Sequence, residues 1–251
     1  MKKKLLVTML TLAIAASSVA CGSQKIEPAK NNDAVEATSA EAAPSEDSSE
    51  TAAEDSSSES SGNSDSDENI SGEISGNTYE NKFFDVKIAL DDNYHFATEE
   101  ELKTLNSTIT DMNIFSDNKA AQKALDNGTV MIVTYAVDGT TGKTLNVVLQ
   151  SVGSLQGALA NEQSLLEAGK KDTIAALEGQ GLTDVTATME TVTFLGEEHP
   201  SLLLSAKING ADLYQRCICL IKDGYIANFT ASGLDKDGFD KDLLSATKLG
   251  E

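Results

Sequence analysis

From Gly22 to Gly76 the chain is built almost entirely of Ser, Ala, Glu, Asp, Asn and Gly. Runs such as Glu46-Asp47-Ser48-Ser49-Glu50 contain nothing apolar to bury. A segment of this kind cannot offset the entropy of ordering itself. The core must come from the residues beyond Gly76, so residues 21–76 read as a disordered acidic linker and residues 77–251 as one domain. As a Gly/Ser-like coil, a linker of ~55 residues spans roughly 40 Å, and more where like charges repel. It reads as a spacer, with cation or basic-partner capture as the second reading. No internal repeat is present.

Ahead of the linker lies an address. Lys2, Lys3 and Lys4 are followed by an apolar run over 5–16 and by small or β-branched residues over 17–20. That order defines a secretory signal over 1–20. The apolar run is about a dozen residues, short of the ~20 a spanning helix needs. The junction Ser18-Val19-Ala20-Cys21-Gly22 resembles the lipobox of bacterial lipoproteins, departing from it at Ser18, where that family most often has Leu. The resemblance implies that the Cys21 thiol receives a diacylglycerol and that the bond before it is cut. It also implies a location at the outer face of a bacterial cell membrane, held by acyl chains. Ordinary signal-peptidase cleavage after Ser18-x-Ala20 cuts the same bond without adding lipid.

The net charge of −21 is unevenly placed: the leader carries +3, while 22–76 and 77–251 carry −12 each. A folded part this acidic is repelled by phosphate backbones, which argues against nucleic-acid binding. Besides Cys21 only Cys217 and Cys219 are present. Two positions apart in a strand, their side chains point the same way, a poor geometry for a mutual disulfide. The core is then an ordinary hydrophobic one, and ~175 residues suffice for it.

Alternation over 84–90 predicts a half-buried strand. Thr98-Glu99-Glu100-Glu101 is a capping box opening an acidic helix. A second helix is expected from Ser116, ending at Asn127-Gly128. Residues 129–137 are apolar on both faces and read as a central strand, joined through 138–143 to a strand over 144–152. A long helix is expected over 159–177. Strands are then expected over 185–195, 202–208, 213–221 and 225–231, and a short helix over 239–249. This order predicts an α+β domain: a largely antiparallel sheet of about six to seven strands with helices packed on it. Tyr79, Phe83-Phe84, Val86, Ile88, Leu90, Tyr94 and Phe96, followed by the capped helix, are similar to the opening of PsbP-like domains. The resemblance implies an α/β/α sandwich and transfers no functional residue. Many relatives have Pro-Gly-Trp where this chain has Asp92-Asn93-Tyr94.

Few residues stand out for chemistry. Gly139-Thr140-Thr141-Gly142-Lys143-Thr144 looks like a phosphate loop but lacks a glycine at Val137 and joins two strands. Asp235-Lys236-Asp237-Gly238-Phe239-Asp240 looks like a calcium loop but has Leu244 where a carboxylate is required. Glu197-Glu198-His199-Pro200 reads as a solvated turn, His95 as packing at the sheet margin, and Cys217 with Cys219 as buried small hydrophobes. No nucleophile elbow exists. The reading is a membrane-anchored extracytoplasmic lipoprotein with a non-catalytic binding or interaction domain, lipidated at Cys21, with no catalytic, cofactor or metal residue assigned. Its partners are the membrane and a cell-envelope component, with weak cation binding as an addition. The alternative is an extracytoplasmic hydrolase working through Asp and Glu carboxylates.

Overall fold

The computed structural model describes residues 26, 28–31, 69–112, 119–153 and 161–250. Eleven strands and four helices lie among them. The strands are β1 (Lys30–Asn31), β2 (Glu73–Ser75), β3 (Thr78–Asn81), β4 (Val86–Ala89), β5 (Tyr94–Phe96), β6 (Val130–Asp138), β7 (Thr144–Ser151), β8 (Thr183–Phe194), β9 (Glu197–Ile208), β10 (Ala211–Lys222) and β11 (Tyr225–Gly233). The helices are α1 (Glu99–Met112), α2 (Lys119–Asp126), α3 (Glu162–Gly179) and α4 (Lys241–Leu244).

Seven strands form the central sheet in the order β5-β6-β7-β11-β10-β9-β8, and every pairing in it is antiparallel. The domain is α+β, as the sequence predicts. Tight two-residue turns make this meander possible. Asp223 and Gly224 both have positive φ, as do Leu195 and Gly196, the backbone twist that suits a short hairpin.

One face of the sheet carries helices. α1 and α2 pack on β6, and α3 on β8, β9 and β10. The α1 capping box forms: Thr98 N–H donates to Glu101 Oε2 at 2.9 Å, and Glu101 N–H donates to Thr98 Oγ1 at 3.3 Å. Asn161 caps α3 by accepting from Ser164 N–H at 2.8 Å. Under α3 lie Leu202, Leu204, Cys217, Cys219 and Ile226, which meet Leu165, Leu166 and Leu177. Under α1 and α2 lie Val130, Ile132, Tyr135 and Val148, which meet Leu102, Ile109 and Leu125.

The other face is covered by a small four-stranded sheet, β1-β2-β3-β4, and by α4. Between the two sheets Tyr79, Val86, Ile88, Val147, Leu149, Ile218 and Phe229 are fully buried or nearly so. The Tyr79 hydroxyl donates to Ser71 O at 3.0 Å and accepts from Asn81 Nδ2 at 2.9 Å. Gly72 has φ +79, and a Cβ there would lie 2.7 Å from Glu80 O and from the Tyr79 ring, so only glycine fits.

Two pieces of the expected linker are among the described residues, and both are packed. Residues 69–76 form β2 and its approach. Ile26 and Ala29 are each 1% exposed, and Lys30–Asn31 pairs in parallel with Glu73 and Ile74. The rest of the linker lies outside the described residues, as do the leader and Cys21.

Several local expectations are corrected. The strand expected over 84–90 is β4, in the small sheet rather than the central one. The turn expected at 197–200 lies at Leu195-Gly196 instead, and β9 begins at Glu197. Pro200 sits beyond the last residue of β9 paired with β10, where a missing N–H is tolerated. The closing helix is one turn, α4, because Thr247 leaves to exchange backbone hydrogen bonds with Lys87 at 2.9 and 3.0 Å. The second helix begins at Lys119 and the long one at Glu162. The starts expected at Ser116 and Leu159 lie outside the described residues.

Candidate functional site

The helix-bearing face holds two apolar clusters, one under α3 and one under α1 and α2, with Ala176 of α3 packed against the second. Between them, on β7 and β11, runs a seam of polar side chains. Asn146 stands opposite Tyr135 on β6 and Thr230 on β11, Thr144 stands opposite Ser232, and Asn228 stands between Val148 and Cys219. Strand periodicity places all of these on the face bearing α1, α2 and α3, because Val148, Ile226, Cys217 and Cys219 share it.

The seam is buried: Tyr135, Thr144, Asn146, Asn228 and Thr230 lie between 0% and 3% exposed. Neither Asn146 Oδ1 nor Asn146 Nδ2 has a hydrogen-bond partner, and the same holds for Tyr135 Oη, Thr144 Oγ1, Asn228 Nδ2 and Thr230 Oγ1. Thr144 lies beside the Tyr135 hydroxyl and Thr230 beside the Cys217 thiol, but neither contact has hydrogen-bond geometry. At its end, Gln215 Nε2 donates to Ser232 Oγ at 2.9 Å. Each unsatisfied buried group costs ~1–3 kcal/mol, a cost removed when a buried water or another polar group bridges such atoms.

The seam is also uncharged. Burial pushes the Tyr135 hydroxyl up to about 12 and the Cys217 thiol up to about 12, so both stay protonated near neutral pH. Its groups are amides and hydroxyls, which donate and accept alike.

The residues singled out in the sequence fall elsewhere. The phosphate-loop look-alike joins β6 to β7. There Asp138 accepts from Thr140 N–H at 2.7 Å, from Thr141 N–H at 2.9 Å and from the Thr141 hydroxyl, which hold its carboxyl below the usual range. The calcium-loop look-alike meets this turn across a cavity of about 580 Å³ lined by Thr141, Lys143, Leu234, Asp235, Gly238 and Lys241. Lys143 is held by Asp242 at 2.7 Å, and Asp242 also accepts from the Tyr94 hydroxyl at 2.7 Å. Asp235 turns its own loop by accepting from Asp237 N–H and, through its carbonyl, from Phe239 N–H.

His95 is exposed on β5 at the sheet margin. His199 Nδ1 lies 2.9 Å from Glu162 Oε2, joining β9 to the start of α3. Cys217 and Cys219 are buried and free. The one buried guanidinium, among the described residues, is that of Arg216. It donates to Asp240 Oδ2 at 2.6 Å, Glu190 Oε2 at 3.0 Å and Ser201 Oγ at 2.8 Å, on the opposite face from the seam. No group of three or more His, Cys, Asp or Glu able to hold a metal occurs among the described residues.

Fold and seam together define an antiparallel α+β domain with an uncharged, buried polar strip beneath its helices. No protein-family model matches the chain, and no curated protein matches it. It is similar to a solved structure, the crystal structure of LpqN involved in cell envelope biogenesis of Mycobacterium tuberculosis. The TM-score is 0.36 and the identity 11%, over 64% of this chain and 82% of that one. A likeness at that TM-score carries no functional argument. No helix among the described residues is long and apolar enough to cross a membrane.

Proposed function

We propose that the chain is a bacterial lipoprotein, anchored through Cys21 at the outer face of the cell membrane. Its domain binds a neutral ligand rich in hydroxyls or amides along the Asn146 seam, which must open to admit it because its side chains are at most 3% exposed. The observation that carries the ligand class is the Asn146 side chain, fully buried with both polar atoms unpartnered. A charged ligand would meet no compensating charge among these amides and hydroxyls and is disfavoured there. The anchor reading rests on the Lys-rich leader and the Ser18–Cys21 junction. Within it the domain serves a cell-envelope component, with the PsbP-like sandwich as its fold family. Nucleic acid is disfavoured by the domain's own charge.

The reading is non-catalytic. A carboxylate hydrolase needs an acid whose pKa is raised beside a base. Among the described residues, the carboxylates with a clear shift, Asp138 and Glu197, are lowered, by turn hydrogen bonds and by Lys248 respectively, so neither supplies that acid.

The test is calorimetry of the mature chain against neutral oligosaccharides, capped dipeptides and their anionic counterparts. The proposal expects heat from a neutral probe, lost in Asn146→Leu. Binding confined to anionic probes would overturn the ligand class. Turnover of a glycoside or ester that one Asp or Glu substitution abolishes would overturn the non-catalytic reading.

A further inference from the structure

We propose that Ile26, Ala29, Lys30 and Asn31 fasten the lipid anchor to the domain and hold one defined end of the central sheet against the bilayer. The acidic stretch is then not a spacer. This rests on lipidation of Cys21, proposed above, and adds to it an orientation and a distance.

Ile26 N–H donates to Gly128 O at 3.1 Å, and Ala29 N–H donates to Val133 O at 2.9 Å. Lys30 and Asn31 then pair with Glu73 and Ile74 of the small sheet. The segment runs in the same direction as β6, so the chain before Ile26 departs at the end where β6 begins. The turns at Gly128-Thr129, Val152-Gly153 and Asp223-Gly224 gather at that end. Ser151 N–H donates to Thr129 O, and Val152 N–H donates to Gly224 O, both at 2.8 Å.

Covalent reach fixes the rest. Cys21 precedes Ile26 by five residues, at most about 18 Å of chain. The whole linker taken as a coil would allow roughly 40 Å. The stretch between Asn31 and Asn69 begins and ends on the domain, because β1 and β2 are neighbours, so its length adds nothing to the separation of domain and bilayer. The opposite end of the sheet lies one β6 length away, ~30 Å. It carries the 138–143 turn, the neighbouring cavity and Leu234, 45% exposed, and is turned away from the lipid. The domain's net negative charge works against closeness to an anionic surface, so the docked segment must supply it.

The experiment uses the full lipidated chain in phosphatidylcholine–phosphatidylglycerol vesicles containing an acceptor lipid. A donor dye is placed at Asn127→Cys, near the anchored end, or at Thr140→Cys, at the far end. Energy transfer should be at least two-fold greater from position 127 than from 140. Inserting ten Gly/Ser residues after Gly22 should erase that difference while leaving the melting temperature unchanged. Flotation is read on the same samples. A chain that floats with equal transfer from both positions overturns the fastening alone. A chain that does not float overturns the anchor, and the membrane orientation with it.

Discussion

The Ala29 amide donates to the Val133 carbonyl at 2.9 Å, so a residue eight positions after Cys21 is bonded to the second strand of the central sheet. Ile26, three residues earlier, is 1% exposed in the same groove. β5 covers only the Asp138 end of β6, and the rest of that edge is closed by other groups. Ala97 N–H donates to Tyr135 O, and the Asn106 side chain exchanges two hydrogen bonds with Ile132, each at 2.9 Å. Covering an edge in this way protects it from pairing with other chains.

Removing the Ile26 side chain should therefore destabilise the whole domain. Ile26→Ala is expected to cost ~2–5 kcal/mol, the range for a buried aliphatic cut to alanine. Urea denaturation checks it; an unchanged midpoint would show that the segment contributes nothing to folding.

The Arg216 cluster makes a paired prediction. Its side chain is 9% exposed and meets Asp240, at 14%, and Glu190, at 39%. Asp240→Ala leaves Arg216 with Glu190 as its one carboxylate partner and its Nε unpaired, and should cost ~1–3 kcal/mol. Arg216→Met with Asp240→Leu removes both partners and should fall within ~1 kcal/mol of the parent or above it. Chemical denaturation of the two variants separates these outcomes.

Alkaline pH should unfold the chain through its buried thiols. Burial pushes Cys217 up to about 12, and raises Cys219, next to Cys217 and Glu162, as well. In the unfolded chain such thiols ionise near ~8.5. The native state therefore keeps its protons longer, and stability is full below ~8.5 and lost as pH rises toward 12. The slope is on the order of 1.4 kcal/mol per pH unit per thiol. Cys217→Ala with Cys219→Ala should flatten the decline between pH 9 and 10, above which the hydroxyls of Tyr79, Tyr94 and Tyr135, also raised by burial, add to it. In the folded parent neither thiol should react with iodoacetamide at pH 8.

The capping box at Thr98 and Glu101, the alternation of the strands and the Asp223-Gly224 turn are local signals, and all are legible in the sequence. What is not legible depends on distant partners. Ile26 and Ala29 are two apolar residues in a polar run, and the groove that buries them is made by β2 and β6, far along the chain. Pro200 masks a strand because its tolerance depends on where β10 stops. Leu195 at φ +53 gives no turn signal, since β-hairpin turns favour Asn, Asp or Gly. The seam is hidden for a similar reason: Asn146 between Leu145 and Val147, and Asn228 between Ala227 and Phe229, look like outward positions of half-buried strands. Their burial depends on what is laid over that face, which strand alternation does not reveal.

Asn146 also offers the most direct test of the binding account, through the melting temperature of Asn146→Leu in the ligand-free mature chain. Exchanging an unsatisfied buried amide for an apolar side chain of similar size removes a cost of ~1–3 kcal/mol. In a chain of this size that raises the melting temperature by roughly 2–12 °C. This rise is expected together with loss of the response to neutral oligosaccharides or capped dipeptides. A fall in melting temperature with that response intact would mean that the amide is satisfied within the fold, and would contradict the binding account.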